Sequence, residues 1–153
     1  MSRPLVLLVL IFVYACSQQT VDASFVGTFQ LVTRDGEALP APIVIDMNGN
    51  QCTHQVLSTV LTIDTGGTWT ETVRAQVLCE AKAVWSPEPF ERTGGGNVAM
   101  VGSDKGAIQL LSQELDEMDG TQVASMHGEE LHMTYENVRT GKRMMFVYRR
   151  HPG

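Results

Sequence analysis

The chain has 153 residues, 43% of them hydrophobic and 18% charged, with a formal net charge of −6. That length supports one domain with a core of its own. The acidic balance argues against a nucleic-acid partner, which needs a basic footprint, and otherwise reads as a solubility feature.

Met1-Ser2-Arg3 carries one positive charge, residues 5–13 are unbroken apolar, and Val13-Tyr14-Ala15-Cys16 follows. A basic start, a short apolar core and a small residue, in that order, predict a secretory signal peptide over residues 1–15. The run is too short to span a bilayer, which takes about 20 apolar residues, and polar Ser17-Gln18-Gln19-Thr20 ends it. Val13 and Ala15 ahead of Cys16 resemble the lipobox of bacterial lipoproteins. That resemblance implies lipidation at Cys16, a tether over residues 16–24 and stable attachment to the cell envelope through several acyl chains. Ser17, in a position without aspartate, is similar to lipoproteins exported to the outer membrane. Ordinary cleavage after Ala23, behind Val21-Asp22-Ala23, is the alternative and gives a freely secreted protein.

With Cys16 used by the leader, Cys52 and Cys79 remain as a pair. An exported chain meets an oxidising compartment, so a Cys52–Cys79 disulfide is the default expectation. It closes a loop of about 26 residues, worth roughly 3 kcal/mol in chain-entropy terms. Two buried free thiols are the alternative.

The mature chain reads as strands punctuated by turns. Residues 25–33 alternate and end at Arg34-Asp35-Gly36, a turn signal. Leu39-Pro40-Ala41-Pro42 cannot be a central strand, whereas residues 43–47 can be one. Residues 55–64 place Leu57, Leu61 and Ile63 on one face. After Thr65-Gly66-Gly67, residues 68–78 alternate Trp69, Val73, Ala75 and Val77 with Thr70, Thr72, Arg74 and Gln76, which is the clearest hairpin signal in the chain. Residues 83–85 extend that sheet, and residues 86–96, with Pro87, Pro89 and Gly94-Gly95-Gly96, read as a loop. Residues 97–101 and 107–112 form a hairpin, residues 113–120 an acidic connection, and residues 121–126 a short strand. Residues 130–138 and 143–150 close the chain as a hairpin around Arg139-Thr140-Gly141-Lys142. Eight or nine short strands in a meander, with no convincing helix, predict an all-β, eight-stranded antiparallel up-and-down barrel over residues 25–150. Closure also removes exposed strand edges.

Two segments give this pattern a family likeness. Gly27-Thr28-Phe29 resembles the Gly-x-Trp motif of lipocalins, with Phe29 in place of tryptophan, and Phe146-Val147-Tyr148-Arg149-Arg150 resembles their last strand, from which an arginine packs over that aromatic. Residues 27–34, Leu39-Pro40, residues 56–69 and residues 148–150 are similar to small bacterial exported proteins known only as lipocalin-like. The resemblance implies an eight-stranded barrel and no catalytic residues.

Motifs for chemistry are weak. His127-Gly128-Glu129-Glu130-Leu131-His132 has the wrong spacing for a zinc helix, which needs histidines at i and i+4. His132 should face away from Leu131, Met133 and Tyr135, on the outside. Glu114, Asp116, Glu117 and Asp119 fail the calcium-loop pattern at its first ligand, Leu115. Gly102-Ser103-Asp104-Lys105-Gly106 is not a nucleophile elbow, and Gly94-Gly95-Gly96 lacks the lysine and helix start of a phosphate loop. No enzyme activity, metal or cofactor is therefore expected.

What the residues leave for function is the barrel interior, which either holds a small ligand or is filled by side chains. Candidate inward residues for binding are Phe29, Leu57, Leu61, Trp69, Val73, Leu110, Met133, Tyr135, Phe146 and Tyr148, with Leu31, Val77 and Ile108 beside them. Methionines at 100, 126, 133, 144 and 145 suit adaptable apolar surfaces. The expected partner is a small apolar molecule or envelope lipid. The alternative is a protein-interaction module, such as a hydrolase inhibitor or assembly factor, presenting the 86–96 loop with Trp85 and Phe90.

Overall fold

Alternation between turn signals produces ten antiparallel strands in the computed structural model, which describes residues 20–47, 49–79, 88–102, 106–112 and 120–152. Residues 1–15, expected to be a signal peptide, and Cys16, Trp85, Glu114, Asp116, Glu117 and Asp119 lie outside the described residues. The strands are β1 Gly27–Arg34, β2 Glu37–Ala38, β3 Ala41–Met47, β4 Asn50–Ile63, β5 Thr68–Cys79, β6 Phe90–Met100, β7 Ala107–Ser112, β8 Gly120–His127, β9 Glu130–Asn137 and β10 Arg143–Arg150.

β4 through β10 form a meander, β10 pairs with β1, and β1 returns to β4 through Gly27↔Ile63 and Phe29↔Leu61. Those eight strands close an antiparallel up-and-down barrel. β2 and β3 are additions: β2 folds back on β1 across Asp35-Gly36, and β3 pairs with the first half of β4. Both residues of that turn have positive φ, +50° and +84°, the geometry that suits a two-residue hairpin. Pro42 lies in β3, which pairs with β4 alone, so its missing N–H is tolerated.

Two bulges set the register. On β1, Leu31 opposes Tyr148 while Thr33 opposes Val147, which leaves Val32 as the extra residue. On β4, Val56 opposes Ala75 while Ser58 opposes Arg74, which leaves Leu57 as the extra residue. Each bulge exchanges the inward and outward positions beyond it.

The barrel has two unlike ends. At one, Phe25, Phe29, Leu61, Ile63, Ile108 and Leu131 are fully buried, with Val21, Trp69, Leu110, Ala124 and Tyr148 in the same core. Each such side chain contributes roughly 1.5–3 kcal/mol by leaving water. A 3-10 turn at Ala23–Phe25 drives Phe25 into this end; Asp22 caps it by accepting from the Ser24 N–H at 2.9 Å. Val21 is buried there as well, so residues 21–24 dock on the barrel rather than serve as free tether.

The region expected to be a loop is partly a strand. Phe90 to Gly96 pairs with β5, Trp69 facing Gly96 and Glu71 facing Gly94. A side chain at Gly96 is blocked: its Cβ would lie 1.8 Å from the Leu111 carbonyl oxygen and 3.0 Å from Trp69 Nε1. Gly95 and Gly96 therefore serve close packing, which composition alone cannot distinguish from a turn. Phe90 belongs to the barrel wall, not to a presented loop.

Candidate functional site in the barrel interior

The end opposite the core is where the inward side chains become polar and leave space. From β1 and β10 come Arg34, Met144, Phe146 and Tyr148; from β4 and β5 come Val56, Thr59, Glu71 and Val73; from β8 and β9 come Gln122, Met133 and Tyr135. With Leu31 they line a cavity of about 250 Å³. A second cavity of about 450 Å³ is lined by His54, Trp69, Ala75, Phe90, Arg92 and Gly94 among others, and Glu71 and Val73 line both. The larger lies within the usual range of small-molecule pockets, roughly 300–1,000 Å³.

Glu71 is the carboxyl between the two. The Tyr148 hydroxyl donates to its Oε1 at 2.5 Å. Burial pushes the Glu71 carboxyl above the usual carboxylate range, while that hydrogen bond opposes the shift. Burial, then the Glu71 charge, pushes the Tyr148 hydroxyl well above its ordinary value, so it is a donor throughout the physiological range. Arg34 Nη2 donates to Met144 Sδ at 3.1 Å, and its guanidinium carbon lies 5.7 Å from the Phe146 ring centre. Burial lowers the Arg34 pKa, with the Asp35 and Tyr148 charges opposing. His54 is held below its ordinary value by burial and then by the Arg34 charge, so its imidazole is neutral at neutral pH. The arrangement offers recognition groups on an apolar wall, the usual composition of a ligand site.

Sequence-predicted interior residues divide into three groups. Trp69, Val73, Met133, Tyr135, Phe146 and Tyr148 line the cavities. Phe29, Leu61 and Leu110 are packed in the core; Ile108 joins them, while Leu31, Trp69, Met133 and Tyr148 contribute to both core and cavity. Leu57 is the correction: it is the bulged residue of β4, half-buried and outside the core, and Val56 and Thr59 take the inward positions. Val77 is buried at the far end of β5.

Glu71, Arg34, His54, Arg92, Thr59 and Gln122 were not anticipated. Glu71 had a signal, since it shares parity with Trp69, Val73 and Ala75. Arg34 had none, because strict alternation from Phe29 and Leu31 puts it outside; the bulge at Val32 turns it in. His132 lies on the outer face: it contacts Glu130 at 3.3 Å, and its ring stacks on His127 at 4.4 Å.

Cys52 and Cys79 are directly opposed across β4 and β5 and form a disulfide. Such a bond is typical of an oxidising environment. No helix among the described residues is long and apolar enough to cross a membrane. Comparison with family models, with curated proteins and with solved structures finds no match to this chain.

Proposed function

We propose that this chain is an exported, membrane-tethered barrel of lipocalin-like kind that holds a small apolar molecule or envelope lipid and performs no chemistry on it. The observation that carries the reading is the asymmetry of the interior. One end is filled by Phe25, Phe29, Leu61 and Ile63; the other keeps cavities of about 250 and 450 Å³ walled by aromatic, aliphatic and methionine side chains. A scaffold with no cargo gains stability by filling such space; one that carries cargo keeps it. The tether rests on the leader and Cys16, and the disulfide supports export.

Native mass spectrometry of the chain purified from membranes tests this. The expected result is a non-covalently bound small molecule, displaced by organic solvent. Consistently ligand-free protein that also binds no apolar dye overturns the reading.

A further inference from the structure

The open end holds a cation, Arg34, that forms no ion pair with a carboxylate among the described residues, although the Asp35 charge acts on it. Arg34 reaches the interior because of the bulge at Val32 and stands opposite Phe146. Among the described residues, its guanidinium is bonded to the Met144 thioether and faces the Phe146 ring. A thioether is a weak acceptor, and a guanidinium presents five N–H donors in a planar fork. Asp35 attracts this cation through its charge, while the hydrogen bonds of the nearby carboxylates go to other groups. Asp35 Oδ1 accepts from the Met145 N–H at 2.7 Å, and Glu71 Oε1 accepts from the Tyr148 hydroxyl. Removing a cation from water without an anionic partner is costly; here the cation is held beside an apolar cavity. Arg92 adds a second positive side chain on the adjoining cavity, and His54 there is neutral at neutral pH.

We infer that the open end takes an anionic amphiphile, its carboxylate or phosphate headgroup on Arg34 and its apolar tail among Leu31, Val56, Met133 and Phe146. This rests on the reading of the barrel as a container and adds the chemical class of the cargo. Glu71 also lines this cavity; one of its oxygens is covered by the Tyr148 hydroxyl, and burial shifts its carboxyl toward the protonated form, which lessens its repulsion of such a ligand. The planar fork of Arg34 suits bidentate contact with either headgroup.

The test compares four probes of equal chain length on the purified chain by isothermal titration: dodecanoate, dodecyl phosphate, dodecanol and dodecyltrimethylammonium. One or both anions should bind about tenfold or more tightly than dodecanol, as a charge-assisted pair predicts, and the cation should bind weakest. A preference between the two anions identifies a fatty-acid-like or a phospholipid-like source. Arg34→Met should lower anion affinity by about tenfold relative to any change in dodecanol affinity, with a cooperative unfolding transition showing that the variant is folded; Arg34→Lys should restore part of the loss. Equal binding of dodecanoate and dodecanol, unaffected by Arg34→Met, overturns the inference while the container reading stands. Tighter binding of the cation overturns it in favour of Glu71 as the recognition group. Failure of all four probes to bind overturns both readings.

Discussion

Arg150 lies over the ring of Phe29, its guanidinium carbon 4.7 Å from the ring centre, and the same group donates to the carbonyl oxygens of Val26 at 2.7 Å and Ser24 at 2.6 Å. One side chain from the last strand thus ties the barrel's filled end to the segment that enters it. A third contact, to Glu129 at 3.2 Å, is exposed on the carboxylate side and adds little. Arg150→Ala should lower stability by about 2 kcal/mol, the size of charge-assisted hydrogen bonds plus a ring contact. Arg150→Lys should recover little, because an ammonium cannot serve two carbonyls while lying flat on a ring. Gly27 makes room for this group: its φ is +144°, and a Cβ there would lie 2.4 Å from Arg150 Nη1. Gly27→Ala and Arg150→Ala should therefore be less than additive in urea denaturation. Full additivity counts against the cap as a unit.

The glycines of β6 separate packing from cavity. Gly96→Ala drives a methyl group into the Leu111 carbonyl, where Trp69 Nε1 also donates at 3.2 Å. It should cost about 3 kcal/mol, at the upper end of overpacking. Gly94 has nothing within 4 Å of a built Cβ and faces Glu71 on the cavity wall. Gly94→Ala should change stability by less than about 0.5 kcal/mol, and Gly94→Phe should fill the larger cavity. The measurement is an unfolding midpoint paired with titration of an apolar dye. Dye binding by Gly94→Phe equal to that of the parent chain rules out this cavity as the dye site.

These positions mark what could be read from the chain and what could not. Alternation in β5, the Asp35-Gly36 and Gly66-Gly67 turns and the terminal hairpin all report local geometry, and each is legible as residue order. The barrel and most cavity-lining aromatics follow from them, whereas the disulfide pair follows from the cysteine count once the leader takes Cys16. Bulges are not local in this sense. The β1 bulge is fixed by pairing with β10 at the other end of the chain and the β4 bulge by the pairing of β4 with β5; together they decide that Arg34 and Thr59 face inward while Leu57 does not. Gly94-Gly95-Gly96 misleads for a related reason: a glycine required by a neighbouring indole has the same composition signal as a turn. Glu71 was readable by parity, but polarity argues against placing a carboxylate inside a barrel. Sites are where such rules break.

The Cys52–Cys79 bond should contribute roughly 3 kcal/mol, from the loop it closes in the unfolded chain. Its strands are otherwise well paired, from Thr53↔Leu78 to Ile63↔Trp69, so the barrel should survive its loss in weakened form. The Cys52→Ala, Cys79→Ala double variant should unfold at lower urea with a steeper dependence on urea concentration, because its unfolded chain is less compact. Equal midpoints for the parent and double variant show that the reference unfolded state is already constrained.

Glu71 makes stability depend on pH with a defined sign. Burial raises its native pKa above the ordinary 4.5, so the folded chain binds this proton more tightly than the unfolded one. The contribution is fully present below about pH 4.5 and is lost as pH rises through the native pKa. Asp64, whose pKa is lowered chiefly by the Thr68 hydroxyl, and Glu130, lowered chiefly by Arg149, act in the opposite sense: their contributions are lost as pH falls. The profile of the parent chain alone mixes these effects, and Glu71→Gln isolates one of them. The stability of Glu71→Gln relative to the parent should increase steadily above pH 4.5 and level off once the parent carboxyl is ionised. Tyr148→Phe, which removes the hydrogen bond that favours the carboxylate, should move that dependence to higher pH. Urea denaturation at intervals from pH 4 to 8 measures both. A Glu71→Gln difference that stays constant across the range means that the carboxyl titrates alike in folded and unfolded chains.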